Sequence, residues 1–281
     1  MLVIFVLGAA GHVKLPALPC GVHLSLCEAL DVVERFEATA GELHSDADQE
    51  ESSASITGAT VWPCASVLCH WMRDNAAVVQ GAQVLELGAG TGACGLYAAG
   101  LGSAHVMLTD GREGLLALQA ENFRRAKAVL PDSASVSMET YRWGTTVPPP
   151  GPWNLVLASD TTYDGDNAAV LARALHQLLR QPTAPAAKAE KQAAATAAPR
   201  IILAHDHRAR EAADLASLLL DLEDDDGAPP AADEAPATWE KGDSNLERFL
   251  ACTAAEGLRV VRLWSDGPPG EPQEVSILEV M

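Results

Sequence analysis

Basic side chains are scarce in this sequence: 19 Lys plus Arg stand against 38 Asp plus Glu in 281 residues, a formal charge of −19 with the His neutral. A surface of that sign repels phosphate, and no run of Lys or Arg interrupts it. Nucleic-acid binding through counterion release is therefore disfavoured. Cysteine is present but carries no framework. Cys20, Cys27, Cys64, Cys69, Cys94 and Cys252 contain no C-x-x-C pair. A chain of this length does not need staples, so neither a disulfide scaffold nor a zinc site is expected, and the thiols read as reduced groups of a cytoplasmic protein. No apolar run approaches the roughly 20 residues of a membrane helix, so no membrane partner is expected. The apolar start MLVIFVLGAA (1–10) has the character of a signal-peptide core. It lacks a preceding basic residue and a small-x-small cleavage site, and reads more simply as a buried strand or a leader. Internal repeats are absent, as is the G-x-S-x-G elbow that a hydrolase triad would need.

What is present is enough apolar material, 48% of residues, to bury a substantial core. Short apolar runs at 83–87, 105–109, 135–140, 154–159, 200–205, 258–264 and 274–280 read as strands. Amphipathic runs at 65–79, 91–100, 112–129, 167–180, 209–220 and 244–256 read as helices. Alternation of the two predicts βαβ units, hence an α/β fold with a parallel sheet covered by helices on both faces. The last two strands are joined through Gly267, Pro268, Pro269 and Gly270 with no room for a crossover helix, so the final strand is expected to run antiparallel. Polar or low-complexity tracts at 42–55, 181–199 and 221–238 read as surface insertions. The expected organisation is a partly irregular N-terminal extension over 1–55, then one domain over 56–281 with insertions at 181–199 and 221–238.

The most informative segment is VLELGAGTGACG (84–95), a strand running into a glycine-rich turn and then a helix. Gly88, Gly90 and Gly92 let backbone approach a ligand, and the helix start offers free N–H groups. The same spacing also satisfies a dinucleotide fingerprint, which keeps an NAD(P)-dependent oxidoreductase in view. Asp110, ending the next strand, can take both hydroxyls of a ribose in either case. Glu86, inside the strand before the turn, decides between them: it repels a pyrophosphate but suits the positively charged groups at the methionine end of S-adenosylmethionine.

Five blocks in order, ITGATVWPCA (56–65), VLELGAGTG (84–92), TDG (109–111), Trp143 after a strand, and LVLASDTTYD (155–164), together resemble the seven-β-strand protein-lysine methyltransferases called methyltransferase family 16. The resemblance covers 56–164; AHDHRAR (204–210) and the closing strands match only loosely. It implies a Rossmann-like, seven-stranded class I S-adenosylmethionine-dependent methyltransferase fold, S-adenosyl-L-methionine as cofactor, and a protein substrate presenting a lysine, with a monomer expected. It also implies cofactor contacts from Trp62, Glu86, Gly88, Ala89, Gly90, Gly92, Asp110, Trp143 and Ser159. The D-x-x-Y block, Asp160 to Tyr163, would stand beside the reactive methyl, with Asp160 orienting the amine and Tyr163 walling its stem. Asp164 or Asp166 suits the cap of the following helix better than Asp160 does. His205 and His207 flank Asp206 at a strand end. No third ligand with suitable spacing is visible in the sequence, so they read as polar strand-end residues and no metal is assigned. Other readings are a methyltransferase for a small molecule or another side chain, and a non-catalytic cofactor-binding module.

Overall fold

The structure is a computed structural model, and it describes residues 15–18, 24, 58–181, 198–207, 243–265 and 275–281. In chain order the elements are α1 (Pro63–Asp74), α2 (Ala76–Val79), β1 (Gln83–Leu87), α3 (Ala93–Gly100), β2 (His105–Asp110), α4 (Gly114–Ala126), β3 (Val136–Thr140), β4 (Leu155–Ser159), α5 (Ala168–Leu179), β5 (Arg200–Asp206), α6 (Ser244–Ala255), β6 (Val260–Ser265) and β7 (Val275–Val280). The strands form one seven-stranded sheet in the order β3-β2-β1-β4-β5-β7-β6. β3 through β5 pair in parallel, and β7 runs antiparallel to both neighbours.

Both faces of the sheet are covered, and the strands show why. Val84, Leu155, Leu157, Ile202 and Ala204 point into one core with α1 and α3, while Leu85, Val156, Ala158, Ile201 and Leu203 point into another with α5 and α6. Alternate side chains go to opposite faces and all are apolar, so the central strands read as continuous hydrophobic runs. On α5, Ala168, Leu171, Ala172, Leu175 and Leu178 repeat at helical spacing and are buried. Helix α3 is buried from Ala93 to Ala99, as expected of a helix that is apolar all round. Each buried Leu of these faces contributes about 1.5–3 kcal/mol through removal from water.

The expected helix over 65–79 divides at Asn75, whose side-chain amide donates to the Trp71 carbonyl at 2.9 Å and closes α1. Such local side-chain bonding competes with the helical ladder. The helix expected from 91 begins at Ala93, because Gly92 is left-handed. Part of the N-terminal extension joins the domain core: Leu15, Leu18 and Leu24 are buried with α1 and α3, and the Tyr97 hydroxyl donates to the Ala17 carbonyl at 3.1 Å. The sequence-based helix at 209–220, the tract at 221–238 and the apolar start at 1–10 lie outside the described residues. Among the described residues no helix is long and apolar enough to cross a membrane.

β1 and β4 are neighbours although β2 and β3 continue outward from β1 on the other side. The connections leaving their carboxyl ends therefore diverge, and a cleft opens at this reversal of strand order.

Candidate active site

The cleft holds a cavity of about 400 Å³. Its floor is the turn after β1. Gly88, Gly90 and Gly92 take φ of 60°, 51° and 80°, a region that costs an L-residue roughly 1–2 kcal/mol. A Cβ at Gly90 would overlap the carbonyl oxygen of Gly58, and one at Gly88 would stand 3.0 Å from Thr161 Cγ2 and 3.5 Å from the Trp143 ring. The glycines at 88 and 90 are thus needed because three separate segments close over the turn. Gly92 is not among the residues lining the cavity. It precedes α3, where a Cβ would press on Leu108.

Two carboxylates fix this turn. Asp110 Oδ2 accepts the Gly90 N–H at 3.0 Å and Oδ1 accepts the Arg112 N–H at 3.1 Å. Burial pushes the Asp110 carboxyl above its usual range, against the pull of those N–H groups. Glu86 lines the cavity and is 2% exposed; its Oε2 accepts the Gly95 N–H, an orphan donor in the first turn of α3, at 2.7 Å. Burial drives Glu86 up to about 8, despite that hydrogen bond. From behind, α4 completes the lock: Gln119 Nε2 donates to the Gly90 carbonyl at 3.1 Å and Asn122 Nδ2 to the Thr91 carbonyl at 2.9 Å.

The opposite wall comes from the end of β4. Ser159, Asp160, Thr161 and Tyr163 all line the cavity, and Asp160 is the one non-glycine described residue with positive φ, at 54°. Aspartate tolerates that conformation better than most residues, but surrounding contacts must hold it there. Asp160 is 8% exposed and Tyr163 is 42% exposed. Asp164 caps the short turn at Gly165–Asn167 by accepting the Asp166 N–H, while α5 starts after Asn167 with no side-chain cap, so neither Asp164 nor Asp166 caps that helix as expected. Trp62, the extended residue before α1, and Trp143, two residues beyond Tyr141, line the same cavity, as does Ala89. One cavity therefore gathers Trp62, Glu86, Gly88, Ala89, Gly90, Asp110, Trp143, Ser159, Asp160 and Tyr163.

Residues 43–197, more than half of the chain, match the model of the lysine methyltransferase family. The chain belongs to that family. Among curated relatives it is 33% identical over 120 residues to the protein N-lysine methyltransferase METTL21A of Danio rerio, covering 43% of this chain and 55% of that one. It is 31% identical over 140 residues to the protein-lysine N-methyltransferase EFM3 of Chaetomium thermophilum, covering 46% and 40%. With the EEF1A lysine methyltransferase 3 of Xenopus tropicalis it shares 29% over 155 residues, covering 49% and 67%. The chain spans about half the length of the curated relatives it matches first.

Several features of this family member escaped the sequence reading. Tyr141, Arg142 and Asn167 also line the cavity. Arg142 donates to the Gly111 carbonyl at 3.2 and 3.3 Å, and the Tyr141 N–H donates to the Asp110 carbonyl at 2.8 Å, so the segment after β3 is tied to the acid's own turn. Gln119 and Asn122 stand as polar residues on the buried side of an amphipathic helix, a signal that was visible. Asp243 is the third partner that spacing did not reveal for His205 and His207. It lies 36 residues beyond His207 in sequence, yet the three side chains bring ligand-type atoms within 4.8 Å of one another. Asp243 Oδ2 stands 2.6 Å from His205 Nε2 and 2.9 Å from His207 Nδ1. Those are hydrogen-bond distances, shorter than the roughly 3.4 Å edge of a tetrahedron around zinc. Cys64, Asp160 and Asp206 form a second such group. No disulfide joins the described cysteines.

Proposed function

We propose that this chain transfers a methyl group from S-adenosylmethionine to a lysine side chain of a protein. The observation that carries the reading is the single cavity shared by the glycine turn, the strand-end carboxylate, both indoles and the Asp160–Tyr163 wall. The residues fit the cofactor. Cβ-free backbone at Gly88 and Gly90 leaves a cradle that side chains would fill, and about 400 Å³ is the size of a small-molecule site. Asp110 would hold the ribose hydroxyls, Trp143 would stack on the adenine, and Glu86 would face the charged methionine end. An indole over such a group contributes about 0.5–2 kcal/mol. When bound, the cofactor supplies an electrophilic methyl carbon.

The chain's own residues then have a positioning task, because an in-line displacement needs little beyond a neutral amine held at the correct angle. Asp160 accepts N–H from the incoming ammonium and turns the nitrogen lone pair as the proton leaves to water. Tyr163, half out of the cavity, gives the aliphatic stem a wall and the amine a hydroxyl. The working unit in this reading is a cytoplasmic monomer whose domain runs from 56 to 281, with insertions at 181–199 and 221–238.

The test has two steps. Calorimetric titration should show binding of S-adenosylmethionine and none of NAD or NADP; the reverse result would make the chain an oxidoreductase. An array of lysine peptides with tritiated cofactor should then show transfer that Asp160→Ala abolishes while cofactor affinity stays within about threefold. Cofactor binding with label on no peptide would remove the lysine-transfer reading.

A further inference from the structure

The D-x-x-Y wall is held from outside the site by a buried chain of side chains that the methyl-transfer chemistry does not itself use. Thr162 Oγ1 lies 2.6 Å from His205 Nδ1, His205 Nε2 lies 2.6 Å from Asp243 Oδ2, the same oxygen lies 2.9 Å from His207 Nδ1, and His207 Nε2 lies 2.8 Å from Ser276 Oγ. All five residues are buried. The hub fixes the direction of the two bonds made to it. A carboxylate can only accept, so His205 Nε2 and His207 Nδ1 carry the protons that point at Asp243. With both rings neutral, His205 Nδ1 accepts from the Thr162 hydroxyl and His207 Nε2 accepts from the Ser276 hydroxyl. Asp243 Oδ1 accepts the Leu246 N–H at 2.9 Å, so the same residue caps α6.

Burial alone would push Asp243 up, yet the hydrogen bonds from His205, His207 and Leu246 together hold it well below the usual carboxylate range. The network is therefore a stable anion bound by fixed donors. It joins four places that are far apart in sequence: the turn after β4, the end of β5, the start of α6 and the start of β7.

We propose that His205 and Asp243, acting through the Thr162 hydroxyl, are positioning residues for Asp160 and Tyr163. The geometry of the intervening segment carries this. The Asp160 N–H donates to the Ala204 carbonyl at 3.0 Å, Thr162 is fixed to His205, and the Tyr163 carbonyl accepts from Asn245 Nδ2 at 2.6 Å. Each partner comes from β5 or from the first turn of α6. Asp160 sits at φ 54° between the first two anchors, a conformation that persists only where its surroundings over-determine it. Releasing the middle anchor lets the backbone relax toward ordinary φ and swings the carboxylate and phenol away from the incoming amine. Misplacement of reacting groups by about 1 Å is enough to cost a large factor in rate.

This inference rests on the methyl-transfer reading, and its test separates the two. Thr162→Val keeps the shape and removes the hydroxyl; Thr162→Ser keeps the hydroxyl. With the best peptide from the lysine array, Thr162→Val should lower kcat about tenfold or more and leave cofactor affinity within about twofold, while Thr162→Ser should keep kcat within about threefold. Hydrogen exchange read by mass spectrometry should accelerate over residues 160–166 in Thr162→Val, and not over 88–92. A Thr162→Val chain that turns over like its parent, or a Thr162→Ser chain as impaired as Thr162→Val, overturns the proposal. If the unmodified chain labels no peptide, methyl transfer to lysine is what fails. Exchange then decides the clasp alone: acceleration confined to 160–166 supports it, and unchanged protection there overturns it.

Discussion

The two walls of the cavity are built by opposite means. On the glycine side, side chains grip bare backbone: left-handed glycines admit close neighbours, and Asp110, Gln119 and Asn122 bind the N–H and C=O groups of the turn itself. On the D-x-x-Y side, a strained non-glycine residue is held by the Ala204 carbonyl and by side chains of β5 and α6 that bind Thr162 and Tyr163. The first wall is a receptacle whose glycines are contiguous but are gripped from β2 and α4 and closed over by Gly58, Trp143 and Thr161. The second depends on four separated stretches meeting. The supports of the second wall lie outside the glycine turn and can change without disturbing it.

The largest effect is expected from Gly90→Ala. The left-handed φ of 51° costs about 1–2 kcal/mol, and the new Cβ overlaps the Gly58 carbonyl, so the turn must shift. Cofactor affinity should fall at least about 30-fold by calorimetry. Gly81→Ala is the control: its φ is 71°, but nothing lies within 4 Å of the added Cβ. It should lose about 1 kcal/mol of stability and no affinity; equal affinity losses in the two variants would mean that close approach at Gly90 is unimportant.

Asp160→Gly tests the other wall. Glycine removes the backbone penalty, so unfolding in urea should show a gain of about 1 kcal/mol, while kcat falls by about 100-fold or more. Stability and rate moving in opposite directions is the signature of strain kept for function. A destabilised Asp160→Gly chain would show that the carboxylate, rather than the surroundings, holds the turn.

How much of this was legible follows the same division. The glycine turn, Asp110 and the D-x-x-Y block are contiguous motifs, and the strands that present them are apolar runs whose expected bounds differ from the observed ones by a residue or two. The order of the sheet, with β7 inserted between β5 and β6, was not readable, because antiparallel pairing fixes direction and not which neighbour lies outside. The sequence presents Glu86 as a charge toward a ligand, whereas in the folded chain burial raises it to about 8, so that it holds a proton at neutral pH. Its carboxylate oxygen is also committed to the first turn of α3, which no spacing rule announces because the partner is a backbone N–H nine residues on. Asp243 was invisible for a related reason: its relation to His205 and His207 exists only after β5 and α6 have packed.

The walls should also respond to pH in opposite directions. Glu86 has its folded pKa raised to about 8 from an ordinary 4.5, so between those values the folded chain holds a proton that the unfolded chain has released. Its stabilising share is full below about 4.5 and is lost as pH rises through 8. Asp243 is shifted downward, so its contribution is present above the ordinary range and is lost as pH falls through the folded value. Urea midpoints of the cofactor-free chain should therefore fall between pH 5 and 8, and Glu86→Gln, which keeps an acceptor for Gly95, should flatten that slope. An unchanged slope in Glu86→Gln would place the titration elsewhere.

The smallest effects come from cutting one amide behind each wall, and they separate the walls most cleanly. Asn122 Nδ2 holds the Thr91 carbonyl in a fully buried setting, so Asn122→Leu orphans a buried acceptor and should cost about 1–3 kcal/mol of stability, with a several-fold weaker cofactor and an unchanged kcat at saturation. Asn245 Nδ2 holds the Tyr163 carbonyl in an exposed setting, where water replaces the lost donor. Asn245→Ala should cost less than about 1 kcal/mol and leave cofactor affinity alone, yet lower kcat about threefold. The two variants thus exchange their readouts, one moving affinity and the other rate. If Asn245→Ala weakened cofactor binding instead, the walls would be mechanically continuous, and the distinction between a receptacle and an adjustable clasp would have to be abandoned.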